Sequence, residues 1–186
     1  MYEVELKVQA DHGPVRDCLD TLGATLVDTV KQEDTYYDAP DRSFAETDEA
    51  LRVRCEHSND ETRVELTYKG PLIDEHSKTR TEAETRVASE QAIREILSGL
   101  GYEPAATVEK RRERYAFEEC IVTLDDVSGL GEFVEVEYTA DVTAVADVDS
   151  ARERAISVLD SLELDADEQI RTSYLALLLA EQSKTS

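Results

Sequence analysis

Near the start of the chain, YEVELKV at 2–8 sets Glu3, Glu5 and Lys7 alternately with Val4, Leu6 and Val8. A period of two sends the two sets to opposite faces of a strand. Glu3 and Lys7 are also four apart, the spacing of a helical pair, but the three aliphatics would not gather on one helical stripe. The glutamates offer hard oxygen ligands suited to Mg2+ or Mn2+, and the ammonium can hold phosphate oxygens. Taken alone, the pattern equally describes a strand whose charged face is in water.

The same alternation recurs wherever the chain carries cations. Arg52 and Arg54 share a face of LRVRC, and Arg63, Glu65, Thr67 and Lys69 share one of TRVELTYKG. Lys78, Arg80, Glu82, Glu84 and Arg86 line KTRTEAETRV, Lys110, Arg112 and Arg114 line a further run, and Glu135 and Glu137 oppose Val134 and Val136 in GEFVEVEY. With Lys7, these faces hold eleven of only 20 Lys and Arg, against 43 Asp and Glu. An acid-selected surface would have filled water-facing positions with carboxylates. We therefore expect the charged faces to converge inside a barrel whose outward apolar faces are covered by helices. Unpaired ions in a dry interior would cost several kcal/mol each, so the lumen should be wet, counter-charged and built for an anion. Cations for phosphate oxygens and carboxylates for a divalent metal describe a site for a metal-bound polyphosphate.

The elements that must position these groups can be read in turn. DHGPVRDCLDTLG predicts a helix with Asp11 at its N-cap, Pro14 in the first turn and Gly23 as its stop. An extended run to Asp38 follows, then APDRSFAETDEA, which reads as a mobile loop and a candidate lid. After the strands at 51–57, 62–70 and 78–87, Ser89 caps a helix ended by Gly99 or Gly101. Three further extended segments follow, the last two joined as a hairpin across SGLG. Two C-terminal helices close the sequence, one opening with a capping box at Ser150 and Glu153, the other an apolar YLALLLA expected in the core. The sum is a single α+β domain built on an antiparallel sheet of about eight strands.

In this order the motifs resemble the CYTH superfamily, the triphosphate tunnel metalloenzymes, which include class IV adenylyl cyclases and thiamine triphosphatases. ExExK stands as Glu3, Glu5 and Lys7, followed by QEDTYYD at 32–38, LRVR at 51–54, YKGP at 68–71 and RTEAE at 80–84. VEKRRERY at 108–115 is similar to the family's K-x-R run, LDDVSGLGEFVEVE to its last hairpin, and SYLALLL at 173–179 to the end of the cyclase-like branch. The resemblance implies an eight-stranded antiparallel closed barrel, or tunnel, with helices packed outside. It implies that Lys7, Arg52, Arg54, Lys69, Arg80, Lys110 and Arg112 hold a triphosphate, with Arg63 facing the same way. Glu3, Glu5, Glu135 and Glu137 would hold Mg or Mn, and Glu3, Glu5 and Lys7 would be the catalytic set. Glu82 and Glu84 read as metal-shell groups or counter-charges for the arginines, and Asp125 and Asp126 as metal support or turn formers. Tyr36 and Asp38 read as further tunnel-facing candidates.

The activity implied is conversion of ATP to cyclic AMP and pyrophosphate. The alternatives are hydrolysis of inorganic triphosphate, thiamine triphosphate or a nucleoside triphosphate, and a non-catalytic polyphosphate sensor. A homodimer is left open.

Cys18, Cys55 and Cys120 are odd in number and unpatterned, which indicates neither disulfides nor a zinc site. The formal net charge of -23 repels phosphate backbones and argues against nucleic acid as a partner. No apolar run is long enough to span a membrane and the first residues carry no signal-like stretch, so a cytoplasmic protein is expected. Only six basic residues are lysines, at 7, 31, 69, 78, 110 and 184, and this acid-rich, lysine-poor balance resembles proteins of organisms with molar salt in the cytoplasm. There the Debye length falls to about 3 Å and repulsion among carboxylates is screened. Thermal melting in dilute buffer should therefore begin well below its value in molar KCl; equal midpoints would contradict this account.

Overall fold

The computed structural model describes residues 4–59, 61–72, 80–139 and 145–185, with the backbone alone at 72, 80, 145–147, 184 and 185. Eight strands form one sheet: β1 (Glu5–Gln9), β2 (Thr25–Asp38), β3 (Ala50–His57), β4 (Thr62–Leu72), β5 (Arg80–Arg86), β6 (Glu103–Phe117), β7 (Cys120–Val127) and β8 (Gly131–Tyr138). Their order is β1-β8-β7-β6-β2-β3-β4-β5. The registered pairs β1/β8, β8/β7, β7/β6, β2/β3, β3/β4 and β4/β5 are all antiparallel. Four helices accompany the sheet: α1 (His12–Leu22), α2 (Glu90–Gly99), α3 (Val145–Ser161) and α4 (Tyr174–Thr185). The α+β class and the antiparallel sheet expected from the alternation are thus observed. Among the described residues no helix is long and apolar enough to cross a membrane.

The chain divides into two compact units, residues 1–30 with 110–186, and residues 31–109. In the first, Leu6 and Val8 of β1, Val122 and Leu124 of β7 and Val134 and Val136 of β8 face one way. They pack against Val15 and Leu19 of α1 and Ala155, Val158 and Leu159 of α3. In the second, Leu51, Val53 and Cys55 of β3 and Val64 of β4 pack on Ile93 and Leu97 of α2, with Phe44. In each unit the helices α1, α2 and α3 therefore lie on the apolar face of the strands, as strand parity demands.

Local chemistry sets most boundaries. α1 stops at Gly23, whose φ of 76° is a left-handed conformation that a Cβ would disfavour, and its N–H donates to the Asp20 carbonyl. Ser89 caps α2, its side chain accepting from the Ala92 N–H at 3.2 Å. Asp11 occupies the N-cap of α1 without a side-chain cap bond. The carboxylate at that terminus comes instead from Glu132, which accepts from the His12 N–H at 2.7 Å.

Three expectations are corrected. α3 already runs from Val145, so Ser150 and Glu153 lie inside it rather than forming a capping box. Nothing in VADVD breaks a helix, and its two aspartates suit a first turn. The segment read as a mobile lid is anchored. Phe44 is buried, Arg42 forks onto Glu49 at 2.8 and 2.9 Å, and Tyr68 donates to the same carboxylate. The Leu-rich α4 is not core: among its residues with described side chains only Tyr174 is buried, and Leu179 is exposed.

Candidate active site

Antiparallel partners share a face, so the register lays the charged residues out in rows. In the first unit one row runs Lys7, Glu135, Thr123, Arg114, and the next runs Gln9, Phe133, Asp125, Arg112. All lie opposite the helix-covered core. Arg112 grips Asp125 with Nε to Oδ1 at 2.7 Å and Nη2 to Oδ2 at 2.6 Å, and Nη2 also donates to Glu135 Oε2 at 2.7 Å. Lys110 Nζ lies 3.9 Å from Asp125 Oδ2, and Lys7 Nζ lies 3.6 Å from Glu135 Oε1. Asp125 is fully buried, and Lys7 and Lys110 are 9% and 7% exposed.

Tyr174, at the start of α4, completes this cluster. Its hydroxyl donates to Asp125 Oδ2 at 3.0 Å, and its ring lies 4.2 Å from the Lys7 ammonium and 5.1 Å from that of Lys110. Lys7 Nζ also donates to the Thr172 carbonyl at 3.2 Å. Burial by itself would push the Asp125 carboxyl up, yet the Arg112 hydrogen bonds and charge, Lys110 and Tyr174 together hold it below the usual carboxylate range. Burial would likewise weaken the Arg112 charge, and Asp125 and Glu135 overcome it. Burial and the same two carboxylates keep the Tyr174 phenol protonated. Lys7, Lys110 and Arg112 thus gather around Asp125 and Glu135, in a chain of net charge -23.

In the second unit the rows alternate in sign: Asp34, Arg54, Glu65, Arg86, then Tyr36, Arg52, Thr67, Glu84. Arg54 forks onto Asp34 at 2.6 and 2.7 Å. Arg52 Nη2 donates to Thr67 Oγ1 at 3.2 Å, and Thr67 donates to Glu84 at 2.9 Å. The Arg52 Nε is buried with no hydrogen-bond partner, as is Gln32 Oε1 on the neighbouring strand. An orphaned buried donor costs about 1–3 kcal/mol, and a ligand oxygen would relieve it. Lys69 Nζ lies 3.1 Å from Glu82, so Glu82 and Glu84 both orient cations in this unit.

Not every sequence candidate joins these rows as expected. Arg63 sits at the end of its face, half exposed and bound to Glu61 at 3.0 Å. Tyr36 shares the polar face beside Arg52, whereas Tyr37 turns to the apolar core. The Asp38 carboxylate is spent on the Ala39 and Phe44 N–H groups. Arg80 is placed by its backbone at the start of β5, opposite Leu72, and Glu3 lies outside the described residues. Asp126 points away from Asp125 and is exposed. Reading the sequence missed Asp34 and Tyr174. Alternation of Gln32, Asp34 and Tyr36 would have found Asp34; no local pattern marks Tyr174.

For a divalent metal, the register sets Glu5 directly across from Glu137. Like charges in that position repel, and a bound cation would reverse the sign of the interaction. Carboxylate oxygens are the right donors for Mg2+ or Mn2+. Glu135, one pair along, is bonded to Arg112, and among the described residues no three His, Cys, Asp or Glu side chains are gathered as a ready cage.

Comparison with known proteins places these features. The CYTH domain model matches residues 1–174. A Methanocaldococcus jannaschii protein named as a candidate adenylate cyclase is 39% identical over 178 residues, 95% of this chain and 98% of that one. The adenylate cyclase CyaB of Aeromonas hydrophila is 27% identical over 99% of this chain and 91% of its own. The solved structure of a Pyrococcus horikoshii protein, PH1819, superposes with a TM-score of 0.84 at 38% identity, covering 97% of this chain and 99% of that one.

Because the Asp125 carboxyl is lowered on folding, its contribution to stability is present above its ordinary value of 3.8 and fades as pH falls through the lowered one. Denaturant unfolding of wild type and Asp125→Asn should accordingly show a stability gap that is largest near neutrality and closes in acid. A gap independent of pH would count against the depressed carboxylate.

Proposed function

The chain belongs to the CYTH domain family, and on that premise we propose that it is a class IV adenylyl cyclase-like enzyme converting ATP to cyclic AMP and pyrophosphate. In this reading the eight-stranded sheet is the closed tunnel that the family resemblance implies, and its polar side faces a triphosphate. The carrying observation is the gathering of Lys7 and Lys110, both buried, with Arg112, 15% exposed, on strands whose other face is the core. Burial strengthens the attraction of such a set for an anion because little water is present to screen it.

Lys7, Lys110, Arg112, Arg52, Arg54, Lys69 and Arg80 would hold the phosphate oxygens, and Arg63 would contribute from the edge. Glu5 and Glu137, with Glu3 and Glu135, would hold Mg2+ or Mn2+. A divalent ion bound there would polarise the α-phosphoryl group and neutralise charge on the leaving pyrophosphate. The chain's own groups then act chiefly by position. Arginine forks fix the phosphates so that the ribose 3'-oxygen meets the α-phosphorus in line as the bond to pyrophosphate breaks. Asp125, Asp34 and Glu84 hold the cations in place before substrate arrives, and Tyr174 stays a proton donor to Asp125. The cyclase names of the relatives from Methanocaldococcus jannaschii and Aeromonas hydrophila support this choice of reaction.

Incubation with ATP, thiamine triphosphate and tripolyphosphate, with Mn2+ or Mg2+ in molar salt, tests the reading. Cyclic AMP with pyrophosphate is the expected product. Orthophosphate would instead make the protein a triphosphatase, with water as nucleophile, and binding without products would make it a sensor. Glu5→Ala should lose metal-dependent turnover while melting as the wild type does; a normal rate would remove Glu5 from the site.

A further inference from the structure

Along the β1/β8 ladder the polar face changes character step by step, from Glu5 opposite Glu137, to Lys7 opposite Glu135, to Gln9 opposite Phe133. At this last pair lies a cavity of about 350 Å3, lined by Gln9, Phe133, Ile170, Leu177, Ala180 and Glu181 among others. The Phe133 ring meets that of Tyr174 edge-on at 5.1 Å between centroids, and Tyr174 in turn covers the ammonium groups of Lys7 and Lys110. An aromatic pair thus links the cation cluster to an apolar hollow.

We propose that this cavity receives the nucleobase of the triphosphate, an inference that rests on the triphosphate reading above. Its volume is at the low end of the roughly 300–1,000 Å3 typical of small-molecule sites, which suits one flat heterocycle rather than a whole nucleotide. Two residues of strand separate Lys7 from Gln9, about 7 Å, a step that a ribose between phosphate and base can span. Phe133, 2% exposed and set edge-on against Tyr174, gives the hollow an apolar wall. The Gln9 amide carries both donor and acceptor, so the polar edge of a base finds a partner there. Leu177 and Ala180, three apart on α4, supply an apolar wall. The same arrangement gives a use to a leucine-rich helix that the fold leaves half exposed.

The proposal separates nucleotides from inorganic triphosphate, and calorimetric titration in molar KCl with Mg2+ tests it. Wild type should bind ATP more tightly than tripolyphosphate. Ala180→Trp, at an exposed position of α4, fills the hollow and should weaken ATP by about tenfold or more. Tripolyphosphate should stay within about twofold of its wild-type affinity. Leu177→Phe fills the same space and serves if the first variant melts early. ATP binding unchanged in a filled variant, or loss of both ligands together from a folded one, overturns the nucleobase site. So does a wild type that binds the two ligands equally. A wild type that binds neither overturns the triphosphate reading itself, and this inference with it.

Discussion

The polar side of the first unit depends on one contact, the two-pronged grip of Arg112 on the fully buried Asp125. An ionised carboxylate taken out of water loses hydration worth several kcal/mol, and only a partner that meets both oxygens can make that good. The planar guanidinium does so, and its Nη2, which carries two N–H groups, also reaches Glu135; a lysine could not make that fork. The second unit repeats the device with Arg54 on Asp34, again Nε to one oxygen and Nη2 to the other. Each fork immobilises one arginine and thereby fixes the neighbouring cations, Lys7 and Lys110 in one unit and Arg52 in the other. Charge is in this sense held in a fixed arrangement by the fold itself.

Much of this was legible because face assignment is a local property. Parity alone puts Lys7, Arg52, Arg54, Lys110, Arg112 and Glu135 on the side away from the aliphatics, and pairing preserves parity across the sheet. The scarcity of cations in so acidic a chain then argued that the side was not simply solvent. What remained hidden depends on distance or on competition. Tyr174 reaches Lys7 from far along the chain, and its helix gives no periodic cue. Asp125 sits two residues before a turn, where aspartates are common for unrelated reasons, so its burial could not be read from its type. Asp38 obeys parity, yet its Oδ1 accepts from two backbone N–H groups of the segment that follows, a choice fixed only by how that segment folds back. Ser150 shows the converse: a good capping signal inside a helix is overruled when the preceding residues are themselves helical.

The helices divide their duties accordingly. α1, α2 and α3 cover aliphatic strand faces, and their buried residues are what hydrophobic periodicity demands. α4 does something different: it brings the Tyr174 ring to the polar face, just after the Thr172 carbonyl that meets Lys7, and its Leu177 borders a cavity rather than a core. Its weak amphipathicity reflects that mixed setting.

Lys7 is bound at both its main chain and its side chain by residues far downstream, its carbonyl accepting from the Ile170 N–H and its ammonium reaching Thr172, 165 residues away. During synthesis on the ribosome, β1 emerges before β8 and before the 170–174 segment. It must wait for β8 and then for the 170–174 segment before its backbone and its cation are satisfied. The centre of the cation cluster is therefore completed only once residues 170–174 have been made, and until then Leu6 and Val8 are available to chaperones or to wrong partners.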